Sequence, residues 1–439
     1  MKISFEFKNI LNVNVLIALA LVASTFTQVR FSNLPIGVSD LLFLSFIIYS
    51  IGLFSLSLNN LHSEKIMSLN RCLIIPILLF LFFYLLLLFM GTIYGSYLIS
   101  NGVLMPLNSD GSKMMTAPYH NLMAYSYVTI IFLTLYIKSD IDIAALALYT
   151  FLLLSLCTGC FYVISKFSNN FFGIDLFYLW TDRLQLFTKS PNHLADFIAP
   201  LPLFLLYFAK NSKSIFFTSL LILLAILTLF AGFESQSKST ILGWIIAFGY
   251  LLLYYVFRRK YVTIVVSLSV TIFILFLIFI QIYYSDSIIN ALQNYMDSGG
   301  DQRGGMILIP RTIIYDILIR LELIFNAMEV GNMSPVIGLG AGASSGVLEP
   351  FLGRESHNHI SEIIMSSGYF GLISYLALML YVFVKISRVR KPILMSAFIV
   401  ITVTTLFHMQ LRQPLFWFYI LFLLYFSSNV SKKEQKMLI

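Results

Sequence analysis

Residues 72–93 read CLIIPILLFLFFYLLLLFMGTI, an apolar run without a single Asp, Glu, Lys or Arg. A run of roughly 20 such residues is what an α-helix needs to cross the hydrocarbon core of a bilayer. Only helices and closed barrels satisfy every backbone group in lipid. This run has no alternation of apolar and polar residues, so it reads as a helix. Similar runs recur along the chain, about twelve in all: near 11–27, 36–58, 72–93, 118–137, 143–164, 194–209, 214–232, 240–257, 261–283, 358–384, 393–408 and 414–430. The run at 194–209 is short and carries Pro200 and Pro202, so it is expected to be kinked or broken.

The expected fold is therefore all-α and polytopic. Of 439 residues, 59% are hydrophobic and 11% charged, which excludes a soluble domain. Seventeen of the 28 Lys and Arg residues fall in short segments that would share one side, from Lys2 and Lys8 to Lys432, Lys433 and Lys436. The positive-inside rule puts those segments, and both termini, in the cytoplasm. The net charge of +8 follows from this bias and does not indicate nucleic-acid binding. The first run has the look of a signal peptide, with Lys2 and Lys8 before an apolar core, and reads as an uncleaved anchor. Three regions follow: membrane helices over 1–283 with about nine spans, a long outer loop over 284–356, and about three further spans over 357–439. Within the loop, Ile313, Ile314, Ile317, Leu318, Leu321 and Ile324 recur at helical steps, so 311–330 reads as an amphipathic helix.

Some short motifs have plain structural readings. Cys157-Thr158-Gly159-Cys160 lies inside an apolar run and reads as small-residue packing rather than redox chemistry. Gly91-x-x-x-Gly95 is expected to bring two helices close together. Asp140-Ile141-Asp142 has the form of a metal-nucleotide D-x-D but falls in a short connection on the cytoplasmic side. Five of six histidines (His120, His193, His357, His359 and His408) fall at the outer ends of runs. Interfacial preference accounts for one such His; five point to a polar cavity opening outward.

The least repetitive stretch is Arg320–Gly371, RLELIFNAMEVGNMSPVIGLGAGASSGVLEPFLGRESHNHISEIIMSSGYFG. It holds a glycine-rich turn at Gly338, Gly340 and Gly342, then His357-Asn358, then Gly368 and Gly371. Outward-facing cations near it are Lys238, Arg311, Arg320 and Arg354. A cation near a bilayer needs a partner. Phosphate is one candidate, through bidentate Arg or point-charge Lys. Asp316, Glu322, Glu355 or lipid headgroups are the alternatives. No metal-ligand spacing or P-loop is present, so neither a metal nor a nucleotide is expected.

The order His357-Asn358, nine residues, Gly368-x-x-Gly371 resembles the signature of the bacterial O-antigen ligase/polymerase family. Arg320, Pro335 and the Gly338-Leu339-Gly340 turn resemble the block that precedes it there. Ser190-Pro191-Asn192 resembles a helix start of the same family, with His193 next to it. Ser237-Lys238 falls where the family carries a Ser-Arg motif, with Lys in place of Arg.

The resemblance implies a fold like that of the C-type membrane glycosyltransferases. It implies transfer of a glycan from undecaprenyl pyrophosphate to an acceptor hydroxyl, at the periplasmic face of the bacterial inner membrane and without a cofactor. His357 would be the base or orient the acceptor, with His359 as its rival and Asn358 orienting His357. Arg320, Lys238 and Arg311 would hold the pyrophosphate. Arg354, His193 and Gly340 would complete the substrate site, although the glycine turn reads equally as a tight loop. The acceptor would be a second lipid-linked repeat unit, for a polymerase, or lipid A–core, for a ligase of lipopolysaccharide biosynthesis. Polymerase is the favoured reading, with a chain-length regulator and a flippase as expected neighbours. A transporter of lipid-linked sugars is the rival from a different class. It predicts charges near the bilayer midplane, whereas here they fall at helix ends.

Overall fold

The computed structural model describes residues 13–26, 38–56, 64–103, 112–138, 141–171, 178–179, 183–188, 190–257, 325, 327–343 and 358–428. The expected span at 261–283 lies outside the described residues, as do most of the 284–356 loop and of the amphipathic segment 311–330. Each of the other eleven expected spans is helical over most of its described residues. In chain order the helices are α1 (Val13–Ser24), α2 (Val38–Leu56), α3 (Glu64–Ser100), α4 (Ser112–Ile137) and α5 (Ile143–Phe171). Then come α6 (Pro191–Ile198), α7 (Leu201–Asn211), α8 (Ile215–Glu234) and α9 (Lys238–Phe257). The last three are α10 (His359–Val389), α11 (Pro392–Thr405) and α12 (Pro414–Ser427). A two-residue antiparallel ladder, Tyr178–Leu179 with Arg183–Leu184, is the one strand pair among the described residues.

Among the described residues, six helices are long and apolar enough to cross a membrane, and five shorter apolar helices accompany them. Large aliphatic side chains face outward on these helices, such as Leu79 at 66% exposure and Ile245 at 65%. In water such a surface would be a liability, whereas in lipid it is the ordinary outer face. The protein is a multi-pass membrane protein with an all-α fold.

The centre is α12. Nearly every residue of it is buried, including Trp417, Phe418 and Phe422. A helix apolar all round belongs in a core. It packs against α1, α3, α5, α10 and α11. Aromatic rings fill the spaces, as where Phe151 stacks on Phe204 with centroids 4.5 Å apart.

The expected break falls between α6 and α7. Pro200 and Pro202 supply no backbone N–H, so the helical ladder cannot continue. Carbonyls at the break find side-chain donors instead. Trp244 Nε1 donates to Ala199 O at 2.7 Å. Tyr419 donates to Phe197 O at 2.5 Å. In lipid an unsatisfied carbonyl costs several kcal/mol, roughly, so these two donors make the break tolerable.

The smaller motifs have structural roles. Asp142 Oδ1 accepts from the N–H groups of Ala144 and Ala145, at 2.9 and 3.0 Å, and so caps the start of α5. Gly159 faces Leu227, whose Cδ1 would lie 3.2 Å from an added Cβ, as expected of close helix packing. Gly91 and Gly95 differ from expectation, because what approaches them is the backbone of residues 337–340 rather than a second helix.

Candidate functional site

Gly368 interrupts α10 with φ +67° and ψ −169°. The Tyr369 N–H therefore turns away from the helix and donates to Pro335 O at 2.8 Å. The carbonyls left without helical donors are taken by the glycine turn. Leu339 N–H donates to Met365 O at 2.7 Å, and Gly340 N–H to Ser366 O at 3.0 Å. Such close backbone approach leaves no room for side chains. Gly338 and Gly340 both have positive φ, +70° and +92°. A Cβ on Gly338 would strike the backbone of Ser366–Gly368, and one on Gly340 the backbone of Thr92. On the other side, a Cβ on Gly91 would sit 2.6 Å from Gly340 N. Ala341 N–H donates to Thr92 Oγ1 at 3.2 Å, and Asn121 Nδ2 donates to Ala341 O at 2.6 Å. The N–H groups of Leu339, Gly340 and Ala341 are thus all committed within the protein, and the turn acts as a clamp between α3, α4 and α10.

The clamp fixes the start of α10. Asn358, fully buried, caps the helix by accepting from Ser361 N–H at 2.7 Å. His359 is buried behind it. The Gln410 backbone N–H donates to His359 Nε2 at 2.6 Å. A backbone N–H can only donate, so Nε2 carries the lone pair and Nδ1 the hydrogen, directed at Tyr375 Oη 3.2 Å away. Both ring nitrogens are engaged, which makes His359 a structural residue rather than a proton acceptor for a substrate.

One turn further, Glu362 is 2% exposed. It accepts a hydrogen bond from the Tyr125 hydroxyl, and Arg412 Nε lies 3.6 Å from its Oε1. Arg412 Nη1 also donates to Asn121 Oδ1 at 2.6 Å. Tyr84 Oη and Ser366 Oγ, 3.0 Å apart, extend the network toward the glycine clamp. A carboxylate in the first turn of a helix is favoured by the exposed N–H groups there, and Arg412 supplies an opposing charge.

A second polar cluster surrounds the start of α9. His408 Nδ1 lies 2.7 Å from Asp196 Oδ1 of α6 and 3.2 Å from Ser239 Oγ. Ser239 Oγ is 3.0 Å from Ser237 Oγ. The turn that presents Lys238 puts Gln236 at φ +52°. Arg183 braces it, with Nε donating to Ser235 O at 3.2 Å and Nη2 to Asn192 Oδ1 at 2.9 Å. Ser190 caps α6, accepting from Asn192 N–H at 3.3 Å, and Pro191 takes the first helical position. Lys238 and His193 are exposed at the helix starts flanking this cluster.

The two clusters meet on one connector. His408, Gln410 and Arg412 alternate along the link between α11 and α12, reaching α6 and α9, then His359, then Glu362 and Asn121. The starts of α9 and α10 are thereby held at one end of the bundle. Of the expected site residues, Lys238, His193, Asn358 and Gly340 are at this end. His357, Arg320, Arg311 and Arg354 lie outside the described residues. Asp196, Glu362 and Arg412 were not anticipated, although Asp196 and Glu362 each interrupt an apolar run, which is the sequence sign of an intramembrane functional residue. Among the described residues no group of three His, Cys, Asp or Glu side chains converges.

Comparison with known families matches residues 223–376 to the family described as O-Antigen ligase. No curated protein matches the chain. The matched segment opens in α8, passes Ser237-Lys238, includes the glycine clamp and Asn358, and ends just past the Gly368 break. Over that segment, about a third of the chain, the protein is similar to the O-antigen ligase family.

Proposed function

We propose that the protein transfers a glycan from an undecaprenyl-pyrophosphate-linked oligosaccharide to an acceptor hydroxyl, as a polymerase of O-antigen or a similar surface polysaccharide. The observation that carries this reading is the connector 408–412, which ties the start of α9, with Lys238, to the start of α10, with Asn358. In the proposed reaction the acceptor oxygen attacks the anomeric carbon. The bond from that carbon to the pyrophosphate oxygen breaks, and the pyrophosphate leaves with the electron pair. Direct attack inverts the anomeric configuration. Arg320, Lys238 and Arg311 stabilise the leaving charge, and His357 takes the hydroxyl proton. Arg354 and His193 line the substrate path, and Asn358, as cap of α10, orients His357. The chemistry asks for no metal or cofactor. The site faces the periplasm of the inner membrane, with both termini cytoplasmic, as the distribution of Lys and Arg supports.

The ligase reading differs only in the acceptor, lipid A–core in place of a second repeat unit. Purified protein, a lipid-linked repeat unit and chelator, with products resolved by gel, separate the two. A ladder of lengthened glycans marks the polymerase, and product formed only after adding lipid A–core marks the ligase. His357→Ala is expected to lower the rate about 10²- to 10⁴-fold, and Arg320→Ala about 10²- to 10³-fold. Binding of the repeat unit without transfer to either acceptor would sink the proposal in favour of transport.

A further inference from the structure

At the opposite end of the bundle, the C-terminal ends of α7, α9 and α10 meet the start of α11 around a cavity of about 650 Å³. That is within the roughly 300–1,000 Å³ typical of small-molecule sites. Two cations line it, Lys210 and Arg390, together with Tyr250, Tyr254 and Tyr255. No carboxylate is among the described residues that line it. The remaining wall is apolar, from Leu253 and Pro392.

Lys210 is held by its side chain, and Arg390 is placed by its backbone. Lys210 Nζ donates to Tyr255 Oη at 3.3 Å and lies 5.7 Å from the centre of its ring. Arg390 ends α10 in the left-handed conformation, φ +51°, and its carbonyl is 3.5 Å from Tyr254 Oη. A left-handed conformation is uncommon for a non-glycine residue, so the cap sets where the Arg390 backbone stands at the rim of the cavity. The neighbouring Lys391 points elsewhere, donating to Tyr207 Oη and Phe426 O, both at 3.0 Å.

We propose that this cavity binds the headgroup of an anionic glycerophospholipid, its phosphate between Lys210 and Arg390 and its glycerol and upper acyl carbons against the tyrosine rings and Leu253. Charge selects an anion, because two cations face the cavity with no described carboxylate between them. The apolar wall selects a lipid over a free anion, because a small phosphate would leave the rings and Leu253 uncovered. Tyrosines at this depth suit the headgroup zone. Basic pockets between membrane helices bind such headgroups on the side that the Lys and Arg distribution assigns here to the cytoplasm. The site lies at the far end of α9 and α10 from the polar clusters, so it does not depend on the transfer reaction.

The test uses the full chain in zwitterionic detergent, with phosphatidylglycerol, phosphatidylcholine of the same acyl chains, and inorganic phosphate as probes. Native mass spectrometry reads retention, and thermal unfolding reads the shift in Tm. Phosphatidylglycerol alone should be retained and raise the Tm. Lys210→Gln and Arg390→Asn should each weaken its apparent affinity roughly fivefold, the effect expected of one cation near the headgroups. Asn tolerates the left-handed cap, so the second variant removes charge without disturbing the helix end. Lys385→Gln, a cation that stacks on Tyr381 instead, should change nothing. Equal retention of both lipids would overturn the proposal in favour of a nonspecific belt, and a full shift with inorganic phosphate would replace the lipid with a small anion. An effect of Lys385→Gln as large as that of the other two would reduce it to diffuse surface charge.

Discussion

At the glycine clamp, α3, α10 and residues 335–341 meet backbone to backbone, whereas at the connector 408–412 the same end of the bundle is tied largely by side chains. Both join segments far apart in the chain, and they share one residue. Asn121 donates to Ala341 O in the clamp and accepts from Arg412 in the connector. The two differ in what they demand of the sequence. A backbone contact demands the absence of a side chain, so it writes glycines at fixed places. A side-chain contact demands only a complementary partner, and that partner can sit anywhere.

The harshest way to break the clamp is Gly340→Val. It combines a left-handed backbone with a β-branched side chain against the Thr92 backbone. A loss of about 3–5 kcal/mol is expected, seen as a large fall in Tm or as failure to recover folded protein.

The connector should break less severely. Arg412→Ala removes the cation opposite the buried Glu362, with an expected cost of about 3 kcal/mol. Arg412 is 27% exposed, which keeps this at the lower end for a buried pair. Replacing both Arg412 and Glu362 by Met should recover part of the loss, because the uncompensated charge goes with the pair. No recovery would mean that Glu362 is held chiefly by Tyr125.

The smallest effect belongs to the shared residue. Asn121→Ala should cost about 1–2 kcal/mol. Combined with Arg412→Ala it should cost less than the sum, by roughly 0.5 kcal/mol or more. Strict additivity would show that clamp and connector are energetically separate.

This contrast also marks what could be read from the chain. The apolar runs located eleven spans, and Pro200 and Pro202 marked the one among them that is broken, because both signals are local. The glycines of 338–342 were visible as a turn, whereas Gly368 reads only as part of a continuous helix, and its break was not foreseen. Gly91 and Gly95 announced close approach but not its partner, since a missing side chain does not say what fills its place. The charged network left no such trace. Tyr125 and Glu362 are 237 residues apart, Asp196 and His408 are 212 apart, and Asn121 and Arg412 are 291 apart. No local pattern encodes pairings at those separations. Arg412 sits in what reads as a tight connection, and Asp196 is one polar residue in a short apolar run. His359, two residues from the expected base, could be separated from it only by seeing both of its nitrogens occupied.

The break at Gly368 also bears on how the protein meets membranes of different thickness. A continuous helix answers a mismatch with the bilayer by tilting along its whole length. Here the upper rod, residues 359–367, is fastened to the glycine turn and to the connector, while the lower rod, 369–389, presents Phe370, Ile373, Leu376 and Leu380 to lipid. Because the intrahelical ladder is interrupted at Gly368, a change of bend there is the expected response to mismatch, with the upper rod staying with the bundle. Lipid composition should therefore change the lean of the lower rod far more than the position of Asn358 at the helix start.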